Sequence, residues 1–231
     1  MTAAANIQSV LTQVPPLGLG AVYGYNQYAR NVRMFFQGNF QGQQLKFEIK
    51  SEALGLLNIR KAKLYFKTSE LRKKIKAHPE LTIAIVLSLP FSIDYPIAIF
   101  RSATEENSIV ILTDVKTSKG NIMVALKLSI EEEKISKVIE IKSVYARDFE
   151  QYLNFICSEY LLVVDEKKIH RFLTTVNSIS EGPKTALISR CNCEKARSLI
   201  DVSKTKIGNY LLFPQNIKKI GLGAVEVTSN N

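Results

Sequence analysis

Leu45, Phe47 and Ile49 alternate with Lys46, Glu48 and Lys50, and Ala62, Leu64 and Phe66 alternate with Lys61, Lys63, Tyr65 and Lys67. A period of two marks strands with one buried face. The second strand therefore carries a face of three lysines with a tyrosine among them. Further along, Leu71 and Ile75 share a helical face, and the pattern predicts a helix over Glu70–Ala77 with Ser69 as its N-cap. His78-Pro79 should end that helix, because a residue before proline is pushed out of the α region. A second helix is expected from Pro79 to Ser88, stopping at Leu89-Pro90.

Strand-like stretches follow at Ile97–Phe100, Ser108–Thr113 and Asn121–Ser129, the last two joined as a hairpin through Lys116–Gly120. Val138–Tyr145 reads as one more strand, with Ile139, Ile141, Ser143 and Tyr145 on one face and Glu140 and Lys142 on the other. Helical spacing returns at Phe149–Ile156 and Ile169–Val176, around a short strand at Leu161–Val164. One short helix is expected near Asn26–Phe36, and a strand, a helix and Tyr210–Phe213 in the tail. Strands in consecutive runs after a helical segment favour an α+β fold. The expected form is an N-terminal helical segment packed on an antiparallel β-sheet, with additional peripheral helices. The expected organisation is an irregular or helical lead over 1–44, an α+β domain over 45–176, and a basic extension over 177–231 packing on that domain.

The 231 residues hold 46% hydrophobic and 23% charged side chains, which excludes wholesale disorder. Lysine and arginine exceed aspartate and glutamate by 31 to 21. The surplus is concentrated: residues 60–76 hold eight basic residues against Glu70, and 184–219 hold eight against two. Such patches are the electrostatic footprint of a partner rich in negative charge, most often nucleic acid, or else a solvated lysine-rich face. The apolar run Leu81–Leu89 falls short of the roughly 20 residues that cross a bilayer, so no membrane partner is expected. The uncharged first 29 residues lack the basic start of a signal peptide, which points to the cytoplasm or to delivery into a target cell. Cys157, Cys191 and Cys193 have no metal-site spacing and read as free thiols.

With two histidines, and without HExxH, CxxC, GxSxG or a Walker loop, enzyme chemistry here should need no metal and no cofactor. His78 lies between a basic helix and a proline-started one. A helix N-terminus favours an anion, and an imidazole beside it could exchange a proton with a phosphate ester. A polar cap at a helix boundary is the other reading. His170, on the margin of an amphipathic helix, reads as a surface residue.

Several of these stretches together resemble a family. The segment from Thr68 through Lys74 to His78-Pro79, then Ser88-Leu-Pro90, the Tyr95–Ser102 run, the Ser108–Ala125 hairpin, Ile141–Tyr145 and Leu161–Lys168 resemble the toxin-like domains at the C-termini of phage MuF-type head proteins. Those domains are grouped with the barnase–EndoU–colicin–RelE superfamily of nucleases. The resemblance covers roughly 45–175. Two departures are Ala77 before the histidine, where lysine is common, and Ala146, where glycine is common.

The resemblance implies metal-independent RNA cleavage, with family-type polar positions on Lys74, His78, Ser102, Ser143 and Tyr145. The resulting expectation is a ribonuclease-like toxin or effector domain. In it His78 does acid–base work, Lys74 and Arg147 meet phosphate charge, and Ser143 and Tyr145 hydrogen-bond or stack a base. Lys61, Lys63, Tyr65, Lys67, Arg72, Lys73 and Lys76 would hold RNA. Two alternatives stay open: a non-catalytic nucleic-acid-binding protein, and a protein-interaction effector module. An immunity or inhibitor protein is a further candidate partner.

Overall fold

The computed structural model describes residues 22–59, 62–131, 134–176, 193–201 and 205–217. Helix α1 (Val22–Phe36) leads into β1 (Gln44–Glu48), the single turn α2 (Glu52–Gly55), β2 (Lys63–Lys67), α3 (Thr68–Ala77) and α4 (Ile83–Asp94). There follow β3 (Ala98–Arg101), β4 (Ser108–Thr117), β5 (Gly120–Glu131), β6 (Lys134–Ala146), α5 (Phe149–Ile156), β7 (Leu161–Asp165) and α6 (Glu166–Val176). A helix over 193–201 (α7), β8 (Thr205–Ile207), β9 (Tyr210–Leu212) and α8 (Pro214–Ile217) complete the described chain. The fold is α+β. Nine strands form one sheet in the order β1-β2-β6-β5-β4-β3-β7-β9-β8, antiparallel throughout except for the β2–β6 pair.

The sheet carries helices on both faces, and each face has its own apolar cluster. Phe47, Leu64, Phe66, Ile111, Val124 and Ile141 point to the first, where Tyr28 and Val32 of α1, Leu71 of α3 and Val86 and Leu89 of α4 meet them. Phe100, Leu112, Met123 and Val164 point to the second, under Tyr152 and Ile156 of α5, Phe172 of α6 and Ile200 of α7. Among the described residues, the second set of helices covers only the β5-to-β9 part of its face. Over β1, β2 and β6 from residue 139 onward, the strand residues of that face are exposed or half-buried.

Local chemistry accounts for most boundaries. Asp148 caps α5 through Gln151 N–H at 3.0 Å, and Ser51 caps α2 through Leu54 N–H at 3.3 Å. The Ser69 cap expected for α3 does not form. That helix starts directly from β2 at Thr68, with Lys67 in the N-cap position and no side-chain capping bond. The helix expected at Pro79 also begins later. Pro79 and Glu80 form a turn, Thr82 takes the N-cap position in an extended conformation, and α4 starts at Ile83 and runs through Pro90 to Asp94.

A proline inside a helix removes the N–H that the carbonyl four residues earlier would accept. Here that carbonyl belongs to Val86, and the buried Tyr28 hydroxyl of α1 donates to it at 2.7 Å. A neighbouring helix thus supplies the hydrogen bond that Pro90 cannot, and the helix continues.

Candidate nucleic-acid interface

Since Leu64 and Phe66 enter the first cluster, Lys63, Tyr65 and Lys67 of β2 face the other way, onto the uncovered part of the sheet. Strand pairing sets a row across five strands: Lys46 on β1 opposite Tyr65, Tyr65 opposite Glu140 on β6, Glu140 opposite Lys127 on β5, and Lys127 opposite Ser108 on β4. Lysines on this face meet two carboxylates. Lys67 Nζ lies 2.9 Å from Glu140 and Lys142 Nζ lies 3.7 Å from it, while Lys63 and Glu48 pair at 3.7 Å. Tyr65 donates its hydroxyl to Glu140 at 3.3 Å. Burial pushes the Glu140 carboxyl up, but Lys67, Lys142 and Tyr65 outweigh it and leave it below its ordinary value.

Ser143 and Tyr145 reach this face by a route that simple alternation misses. Ala125 of β5 opposes Ser143 of β6, yet the next β5 residue, Leu126, opposes Ile141, so Lys142 is an extra residue in β6. Such a bulge reverses the facing of everything beyond it. Ile139 and Ile141 enter the first cluster and so does Val144, whereas Tyr145 packs against the second. The expected shared face of Ile139, Ile141, Ser143 and Tyr145 is therefore corrected: the two polar residues sit opposite the two isoleucines.

Beyond β6 the chain is tightly held. The Arg147 guanidinium stacks over the Tyr145 ring, 5.1 Å from its centre, and its Nη1 donates to Gln151 at 3.3 Å. The buried Nε of Arg147 has no hydrogen-bond partner among the described residues. Tyr152 accepts from the Arg147 backbone N–H at 2.7 Å and donates to the Asn121 carbonyl. Burial pushes the Tyr152 hydroxyl up to about 12. Gly120 begins β5 with φ of +126°, and a Cβ there would lie 2.2 Å from the Arg147 carbonyl oxygen. Only glycine lets these backbones approach so closely.

His78 ends α3, its N–H bonded to the Lys74 carbonyl at 2.8 Å. Because α4 begins at Ile83, the helix N-terminus expected beside His78 is not there. Its Nδ1 lies 3.3 Å from Glu80, whose other carboxylate oxygen meets Lys119 Nζ at 3.1 Å, in the turn between β4 and β5. The Glu80 carboxyl sits below its ordinary value, held there most by its own backbone N–H. Burial opposes this, and Lys119 and His78 add to the lowering. Lys119 precedes Gly120, so this cluster and the Arg147 cluster adjoin the same hairpin end.

The remaining candidates are dispersed. Arg72 stacks over Phe35 of α1 at 5.2 Å, on the side of the first cluster, and Lys73 pairs with Glu70 at 2.9 Å. Lys74 and Lys76 stand in the last turn of α3. Lys61 and Cys191 lie outside the described residues. Ser102 accepts from the Thr104 and Glu105 N–H groups and so caps its turn. His170 lies on α6 with its carbonyl bonded to Thr174. Cys157 is half-buried and Cys193 is buried.

Sequence reasoning missed Glu80 and Lys119. It also missed Lys46, Lys127 and Glu140 as neighbours of Tyr65. Alternation already put Lys46 opposite the apolar face of β1, but the strand order needed to join it to Lys127 is not local. A groove of about 440 Å³ beside α2, lined by Ser51, Glu52, Leu56 and Tyr210 among others, contains none of the candidate residues. Among the described residues, no group of three or more His, Cys, Asp or Glu side chains could hold a metal ion, and no helix is long and apolar enough to cross a membrane.

No curated protein and no solved structure matches the chain. A family comparison does match part of it, from α3 into α6, which takes in His78, Glu80, Lys119, Ser143, Tyr145 and Arg147 but leaves out β1 and β2. Over residues 70–171 the chain is thus similar to the phage MuF C-terminal domain.

Proposed function

We propose that the uncovered sheet face binds a single strand of RNA and that the chain cleaves it without a metal, His78 exchanging the protons. The observation that carries this reading is the row Lys46, Tyr65, Glu140 and Lys127, flanked by Lys63, Lys67 and Lys142, on the sheet face turned away from α1, α3 and α4, where these side chains are exposed or half-buried among the described residues. Lysines neutralise phosphates, and a ring among them offers a stacking platform that accepts any base. Tyr145 under the Arg147 guanidinium extends that platform toward the hairpin end.

In the cleavage, the ribose 2′-OH attacks the adjacent phosphorus as a base takes its proton, and an acid protonates the departing 5′-oxygen. Arg147 and Lys74 meet the growing charge on the phosphorane, and Ser143 hydrogen-bonds the strand. Such an activity suits a toxin or effector domain, kept in check by an acidic immunity protein laid over the same lysines. One observation favours a second reading, binding without turnover: the His78–Glu80–Lys119 contact also ties the end of α3 to the β4–β5 turn, a structural use in itself.

The test is incubation of the purified chain with total RNA in EDTA, reading the 3′ ends. Wild type should leave 2′,3′-cyclic phosphates, His78→Ala should lose about 10²–10⁴-fold in rate, and His170→Ala should match wild type. RNA affinity should fall with salt at a log–log slope of roughly 0.7 per phosphate contacted. Replacing Lys46, Lys63 and Lys67 with Ser should flatten that slope. Salt-sensitive binding with no cleavage would leave the second reading standing, and binding indifferent to salt would remove both.

A further inference from the structure

The side chain of Glu80 is only 7% exposed, yet it reaches two partners from different parts of the fold. One oxygen meets the Lys119 ammonium at 3.1 Å and the other lies 3.3 Å from Nδ1 of His78. A carboxylate paired with an ammonium is ionised and can only accept hydrogen bonds. The hydrogen between Glu80 and His78 must then sit on Nδ1. The His78 backbone is fixed as well, its N–H bonded to Lys74 and its carbonyl accepting from Leu81 at 2.9 Å.

We propose that Glu80 is a positioning residue that sets the tautomer of His78, so that Nδ1 carries the hydrogen and Nε2 is the atom that exchanges protons with substrate. The inference rests on the reading of His78 as the acid–base group. Neutral imidazole in water prefers the opposite form, with the hydrogen on Nε2, so the carboxylate selects the less common one. Lys119 anchors that carboxylate to the β4–β5 turn. The next residue, Gly120, is pressed against the Arg147 carbonyl. The imidazole orientation is thereby referred to the sheet end that carries Tyr145 and Arg147, rather than to α3 alone.

The experiment is long-range ¹H–¹⁵N correlation on the full chain with ¹⁵N-labelled histidine, at pH 8.5, alongside RNA cleavage. Wild type should show His78 as Nδ1–H. Glu80→Ala should move it to Nε2–H and lower kcat by about 10²-fold, the lower end of what a misplaced acid–base group forfeits, with KM within about twofold. Lys119→Ala should keep Nδ1–H, because the contact to His78 survives. A wild type that cleaves RNA but shows Nε2–H overturns this inference alone, as does a Glu80→Ala spectrum unchanged from wild type. If Glu80→Ala does not fold, the wild-type spectrum still decides. Nδ1–H in a protein that cuts no RNA under any condition sinks the nuclease reading, and the catalytic meaning of the tautomer with it.

Discussion

Replacing Tyr28 with Phe removes one oxygen and little else. The ring packs edge-on against Phe47, with centroids 4.8 Å apart, and phenylalanine keeps that contact. What is lost is the hydrogen bond to the Val86 carbonyl, at a site only 1% exposed. Because Pro90 has no N–H to offer, that carbonyl is left buried without its helical donor, at a cost of about 1–3 kcal/mol. For a chain of this size the loss corresponds to a fall in Tm of roughly 2–4 °C per kcal/mol.

Pro90→Ala provides the control, because alanine restores a donor four residues after Val86. In that background Tyr28→Phe should cost less, and a double-mutant cycle should return a coupling on the order of 1 kcal/mol. Urea unfolding followed by circular dichroism would measure all four proteins, with the denaturant slopes compared to check that the unfolded state has not changed. A Tyr28→Phe cost below about 0.5 kcal/mol, or an equal cost in both backgrounds, would refute the idea that this hydroxyl replaces the missing helical bond.

Two more expectations concern the hairpin end and the carboxylates. Gly120→Ala should destabilise more than Gly208→Ala. Both glycines have positive φ, which costs on the order of 1–3 kcal/mol for another residue, but only at Gly120 does the new Cβ also strike a backbone oxygen, while at Gly208 nothing lies within 4 Å. Equal losses in urea unfolding would show that the Arg147 carbonyl yields freely. Glu80 and Glu140 both sit below the ordinary carboxylate value of 4.5, so their contribution is complete above that pH and is lost as pH falls through their folded values. Wild type should therefore lose stability below about pH 4.5, and Glu80→Gln with Glu140→Gln should flatten that fall. A steeper acid loss in the double variant would mean that the sign has been misread.

Local pattern was sufficient wherever burial repeats with the period of one element. The alternation of Leu45 with Phe47 and of Leu64 with Phe66 specified two strands and the bare lysine–tyrosine face, because a strand in a one-sided core has no other way to sort its side chains. Leu71 and Ile75 specified the inward face of α3 in the same manner. Three features needed the assembled fold. The extra residue in β6 turns Ser143 and Tyr145 away from Ile139 and Ile141, and only pairing with β5 reveals it. Pro90 stays helical because Tyr28, 62 positions earlier in sequence, donates to Val86. Glu80 joins His78 to Lys119 across a gap that no spacing rule spans. In each case a hydrogen bond or a strand register is completed by a distant segment, and a rule built on neighbouring residues has no access to that partner.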